Sequence, residues 1–191
     1  GMQTKTETCL PEHTAAIAAT GVRFIRRGFY WDRIEPERGR YAFDAYDALL
    51  ADCEGKGLRL IGTLFGNNKL HEDDQRGGIQ TAEGRAAFAA FAAALAARYQ
   101  GRGILWEIWN EPNTRTFWRK DGKHNSREFA AEYAALVKET VAAMKAADPA
   151  CVVMAGALSC FWDPSYDYTG FCFAEGIHRT GLDAWSVHPY G

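Results

Sequence analysis

Short apolar runs alternate along this chain with longer stretches whose apolar positions recur at helical spacing. Five runs read as strands: residues 22–27, 58–65, 104–109, 151–155 and 184–188. Each is bounded by glycine or another turn residue. The intervening stretches predict helices. Over residues 44–56, Tyr46, Leu49, Leu50 and Cys53 fall at i, i+3, i+4 and i+7, with Asp44 suited to the N-cap and Gly57 to the C-terminal stop. Phe88, Phe91, Ala92 and Leu95 give the same stripe over 82–99. Tyr133, Leu136, Val137, Val141 and Met144 give it over 126–147, where Asn125 and Glu128 have capping-box spacing and Pro149 follows the end. Residues 11–20 predict a short helix with Pro11 in its first turn, and residues 168–180 predict another.

Successive strand starts lie 33 to 47 residues apart, which is the rhythm of βα units with some long loops. Such alternation predicts an α/β fold with a parallel sheet covered by helices, as one domain over residues 1–191. Two arrangements fit: a doubly wound sheet, and a (β/α)8 barrel or part of one. No G-x-G-x-x-G or Walker-type loop follows any strand, which weakens the nucleotide-binding version.

Composition narrows the function classes. Apolar residues are 47% and charged residues 24%, an ordinary globular balance. A net charge of -2 gives no electrostatic case for nucleic acid or an anionic membrane as partner. No apolar run approaches the roughly 18 residues of a membrane span. Gly1 before Met2 reads as a remnant of tag removal. The first ten residues lack the apolar core of a secretory signal, so a cytoplasmic location is expected. Five cysteines, an odd count without C-x-x-C spacing, read as free thiols. His71-Glu72-Asp73-Asp74 superficially resembles metal ligands, but without supporting spacing it reads as a solvated loop. Neither a cofactor nor a metal is expected.

In a barrel the reactive groups sit at the C-terminal ends of strands. Here those ends lead to Arg26-Arg27 with Phe29-Tyr30-Trp31, to Phe65-Gly66-Asn67-Asn68, to Asn110-Glu111, to Ser159 and Trp162, and to His188-Pro189-Tyr190. Together they make a polar, aromatic-lined rim of a kind suited to sugars. Trp106-Glu107-Ile108-Trp109-Asn110-Glu111-Pro112-Asn113 is the most informative run: an apolar strand ending in an Asn-Glu pair, with a proline behind it.

On these residues the chain resembles the retaining glycoside hydrolases of clan A, of the family 39 and family 5 types. Residues 21–26, with Trp31 and the segment 34–39, are similar to that family's second strand and the loop after it. Residues 106–113 are similar to its fourth strand, and Phe117-Trp118 to the aromatic pair that often comes next. Residues 183–191 are similar to its sixth strand.

The resemblance implies a partial (β/α)8 TIM barrel of about five parallel strands. It implies Glu111 as general acid/base, which requires a pKa raised by burial or a neighbouring negative charge. It implies Asn110 on the sugar 2-hydroxyl, Arg26 positioning carboxylates, and His188 and Tyr190 hydrogen-bonding the sugar or a carboxylate. Trp31, Trp118 and Trp162 are implied to stack on sugar rings, though each also fits core packing. Arg26 also fits a structural pair with Glu107 inside the sheet.

The family carries its nucleophilic glutamate on a seventh strand, and no residue here reads as that group. The isolated chain is therefore expected to be weak or inactive on O-glycosidic bonds. The alternative is a non-catalytic carbohydrate-binding or assembly module on the same scaffold. An open sheet of this kind is expected to pair with another copy, as a homo-oligomer, or with a missing barrel fragment.

Overall fold

The computed structural model describes residues 2–4, 11–72, 77–159 and 164–189. Its strands are β1 (Met2–Gln3), β2 (Phe24–Tyr30), β3 (Arg59–Phe65), β4 (Leu105–Ile108), β5 (Val152–Ser159) and β6 (Ala184–His188). All pair in parallel, in the order of the chain. The helices are α1 (Pro11–Ala19), α2 (Trp31–Ile34), α3 (Asp44–Gly55), α4 (Ala82–Arg98), α5 (Arg127–Ala147) and α6 (Pro164–Ala174), with a 3-10 turn at Ile177–Arg179. This is part of a (β/α)8 barrel, and it settles the choice against a doubly wound sheet.

The two faces of the sheet differ. Ile25, Phe29, Leu60, Leu64, Ile108 and Val153 point outward and are fully buried beneath the helices. Their alternate neighbours, among them Arg26, Tyr30, Ile61 and Phe65, point to the barrel interior and are half-buried. The period of two along each strand makes this division. Helix α5 supplies Tyr133, Leu136, Val137, Val141 and Met144 to the outer core, all at 0% exposure. Burying each such side chain contributes about 1.5–3 kcal/mol.

Several expectations need correction. Among the described residues there are six strands, one more than the five runs read from the sequence. β1 pairs Met2 with Ile25 and Gln3 with Arg26 through the backbone alone, which leaves no apolar pattern to read. The one-turn helix α2 was not expected either. The cap of α5 is Ser126, whose Oγ accepts from the Phe129 amide at 3.2 Å. Asn125 is instead left-handed, at φ 53°, and its side chain accepts from Asn113 in the loop beyond Glu111. Phe43, not Asp44, holds the N-cap of α3. The single helix expected over 168–180 is two pieces, broken at Gly176 with φ 81°.

The loop at His71 and Glu72 is not solvated at its start. The His71 ring stacks on Trp31 with centroids 5.3 Å apart, and its Nε2 lies 3.0 Å from Glu35 Oε1. Glu72 accepts from the amides of Gln80 and Thr81 at the start of α4. Asp73 and Asp74 lie outside the described residues, as do Cys9 and Cys160. Cys53, Cys151 and Cys172 are buried thiols, and burial raises the thiol pKa of Cys151 and Cys172.

Candidate active site

The site begins where β4 ends. β4 stops one residue earlier than its apolar run because Trp109 turns left-handed, at φ 67°. Glu111 is left-handed too, at φ 46°. Such a conformation costs a non-glycine residue about 1–2 kcal/mol, so the surroundings must hold it. The Trp109 amide donates to Leu64 O at 2.9 Å, its indole Nε1 to Phe117 O at 2.7 Å, and the Glu111 amide to Ala157 O at 3.0 Å. Backbone strain of this kind concentrates at functional positions.

The acceptor for the Glu111 amide exists because β5 bulges. Pairing with β6 slips between Ala155 and Leu158. Gly156 and Ala157 take φ values of 104° and 45° there. Tyr133, fully buried on α5, ties the bulge to β4: its hydroxyl donates to Ile108 O at 2.7 Å and accepts from the Gly156 amide at 2.9 Å. Burial raises its phenol pKa well above the ordinary value, so it stays protonated as this bridge requires.

Glu111 itself is 7% exposed. Its Oε1 lies 2.9 Å from Nδ1 of His188, at the end of β6. Asn113 pins the loop beyond it: Nδ2 donates to Ser159 O and to Asn125 Oδ1, both at 2.9 Å, and Oδ1 accepts from the Ser159 amide at 3.1 Å.

Beneath these groups lies a buried polar layer. Arg26 Nε and Nη2 reach Glu107 Oε2 at 2.7 and 2.5 Å. The same Nη2 donates to Asn110 Oδ1 at 3.0 Å. Thr63 donates to Glu107 Oε2 and Ser186 to Oε1, each at 2.9 Å. Ser186 Oγ also accepts from the Ala157 amide at 2.8 Å. Arg26 thus pairs with Glu107, as its structural reading expected, and also holds Asn110, a partner the sequence did not suggest.

The structure therefore brings Glu111, Asn110, Arg26 and His188 together on one rim. Trp31 stands apart, and Trp118 borders the larger of the site's clefts without an exposed ring face. Both are 0% exposed, with indole N–H groups donating to Glu35 at 2.6 Å and Glu132 at 2.9 Å. Neither presents a ring face for stacking. Trp162 and Tyr190 lie outside the described residues. The partly exposed aromatic walls are instead Tyr30, Phe65 and Phe117, which line two adjoining clefts of about 500 and 330 Å³. Glu111 lines a third, of about 200 Å³, which shares Thr116 with the larger cleft.

Tyr133, Ser186, Thr63 and Asn113 were not found from the sequence. Their partners lie 12 to 79 positions away, and only the tertiary arrangement makes them neighbours.

A parallel half-barrel that presents a buried glutamate at a strand's C-terminal end, above an Arg–Glu–Asn layer, defines a TIM-barrel glycoside hydrolase scaffold. The chain belongs to the cellulase family (glycosyl hydrolase family 5), whose model matches residues 2–186. Among solved structures it is similar to a family 39 glycoside hydrolase from the gut symbiont Bacteroides cellulosilyticus WH2. The TM-score is 0.79 at 21% identity, covering 99% of this chain and 38% of that one. It is also similar to a monomeric β-xylosidase from Caulobacter crescentus CB15, with TM-score 0.70, 22% identity and coverage of 94% and 39%. An endoglucanase from Pseudomonas stutzeri gives TM-score 0.60 and 19% identity, with coverage of 82% and 46%. At these identities the likeness establishes the barrel fold. The chain spans less than half the length of each of these structures. No curated protein matches it.

Proposed function

We propose that this chain carries the acid/base half of a retaining glycosidase site acting on O-glycosidic bonds. Glu111 protonates the leaving glycosidic oxygen and later takes a proton from the attacking water. Asn110, held by Arg26, binds a sugar hydroxyl beside it. His188 orients the Glu111 carboxyl group through Nδ1. Tyr30, Phe65 and Phe117 supply the apolar wall on which a pyranose packs. The observation that carries this reading is the seat of Glu111: 7% exposed, 2.9 Å from His188, beside aromatic-lined clefts. A β-linked substrate is favoured, since one structural relative is named a β-xylosidase.

The test is a titration with β-1,4-xylo-oligosaccharides followed by calorimetry and by NMR of the His and Asn side chains. Saturable binding should perturb His188 and Asn110, and Glu111→Gln should keep binding. No saccharide binding, or perturbation confined to remote residues, would overturn the reading. Turnover of an aryl β-glycoside should be weak or nil. Efficient turnover lost in Glu111→Gln would reveal a nucleophile among these residues.

The same proposal includes a partner for the open sheet. β6 is an outer strand, and Val187 on it is 49% exposed; Val152 at the start of β5 is 38% exposed. A sheet edge of this kind pairs with other chains unless it is blocked. Association with a second copy or with a complementary barrel segment is expected. Light scattering that returned a clean monomer near 21.2 kDa at high concentration would count against it.

A further inference from the structure

The loop between β4 and α5 gathers Arg115, Arg119, Lys120 and Lys123 within nine positions. The protein carries a net charge of -2. Elsewhere several of the exposed or partly exposed cations are paired: Arg38, Arg40, Arg85, Arg98 and Arg102 each lie within 3.2 Å of a carboxylate. In this loop Arg119 takes the available acids for itself. It pairs with Asp121 at 2.9 Å, Glu128 at 2.8 Å and Glu132 at 2.6 Å. Arg115, Lys120 and Lys123 are left exposed, with no carboxylate partner among the described residues.

These three cations stand at the clefts already described. Arg115 and Lys120 line the 500 Å³ cleft together with Lys69, and Asp32 is the carboxylate in the same wall. Lys123 lines a neighbouring cleft, with Arg115 and Arg127 against the carboxylates Glu128 and Asp167, that shares His124 and Asn125 with the one holding Glu111. Arg115 is held in place rather than trailing in solvent. Its Nε and Nη2 donate to Lys120 O at 2.8 and 2.5 Å, and its amide donates to His124 Nδ1 at 3.3 Å. A fixed guanidinium loses little entropy on meeting an anion, and its planar fork suits a carboxylate or sulfate.

We propose that this rim selects a saccharide bearing an acidic substituent, a sugar carboxylate or a sulfate ester, next to the bond that Glu111 serves. The inference rests on the saccharide-cleft reading and adds the class of substrate. A neutral glycan leaves the three cations without a charged partner. An anionic one converts them into charge-assisted contacts and is drawn in by the local field.

The experiment is a calorimetric comparison on the full chain of three ligands of equal length. They are a neutral xylo-oligosaccharide, the same oligosaccharide carrying a uronic acid branch, and a sulfated oligosaccharide. At 50 mM NaCl one acidic ligand should bind about tenfold tighter than the neutral one. Which of the two it is identifies the anion. In 500 mM NaCl the gap should close, because screening shortens the reach of exposed charges. The Arg115→Gln/Lys120→Gln/Lys123→Gln variant, with an unchanged circular dichroism spectrum, should bring the acidic-to-neutral affinity ratio to about one. The single variant Arg115→Gln covers the case where the triple variant does not fold. Binding of the neutral ligand with no acidic preference would overturn this inference and leave the cleft reading intact. Binding of none of the three would overturn both.

Discussion

Replacing Glu107 with alanine is expected to destabilise the protein by about 3 kcal/mol, the lower end of the cost of orphaning one member of a buried ion pair. The lower end applies because the Arg26 side chain keeps 15% of its exposure, against 4% for Glu107, and can recover some hydration. Three donors lose their acceptor together: Arg26, Thr63 and Ser186. Arg26 is then free to leave Asn110, so the loss reaches the rim as well as the interior. The unfolding midpoint in urea measures the first effect, and the Asn110 side-chain amide resonances report the second. Glu107→Gln keeps two oxygen- or nitrogen-bearing positions without the charge and should cost less. The pair Arg26→Met/Glu107→Leu should regain much of the lost stability, since well-packed apolar groups often match a buried ion pair. It should still abolish the site. If Glu107→Ala unfolds within 0.5 kcal/mol of the parent, the layer is wetter than its geometry implies.

Gly156→Ala is expected to cost about 2–4 kcal/mol, adding left-handed backbone strain to overpacking. Gly156 has φ 104°, and a Cβ there would lie 2.4 Å from Ser186 O and 3.0 Å from Ser186 N. Both neighbours are backbone, so no rotamer change relieves the clash. Either the bulge flattens or β6 moves away. Flattening takes Ala157 O from the Glu111 amide, and movement of β6 takes His188 from the Glu111 carboxyl group. The predicted signature is a lowered urea midpoint together with a shifted His188 ring resonance. A variant with both unchanged would show that the bulge is not what seats Glu111. Comparing the two substitutions separates causes: one removes a charge from the layer, the other alters only the backbone path above it.

Much of the scaffold was legible in the order of residues. The stripe Tyr133, Leu136, Val137, Val141 and Met144 becomes the buried face of α5. The run from Ala184 to His188 becomes β6 without change of bounds. Apolar periodicity records burial directly, because each position on a helix or strand faces one side. The Asn110–Glu111 pair could likewise be placed at a strand end, since the proline after it cannot extend a ladder.

What the sequence determined by itself is the alternation of strands and helices, the identity of the acidic group at the end of β4, and the family to which the run around it belongs. Tertiary structure alone decided the partners. Strand register set Thr63 and Ser186 against Glu107. The bulge in β5 turned a carbonyl toward the Glu111 amide. Packing against α4 and α5 hid Trp31 and Trp118 and left Tyr30, Phe65 and Phe117 to form the wall. Burial follows from local pattern, which the chain carries in every few residues. A hydrogen bond between positions tens of residues apart depends on where two strands stop relative to each other, and no local pattern encodes that.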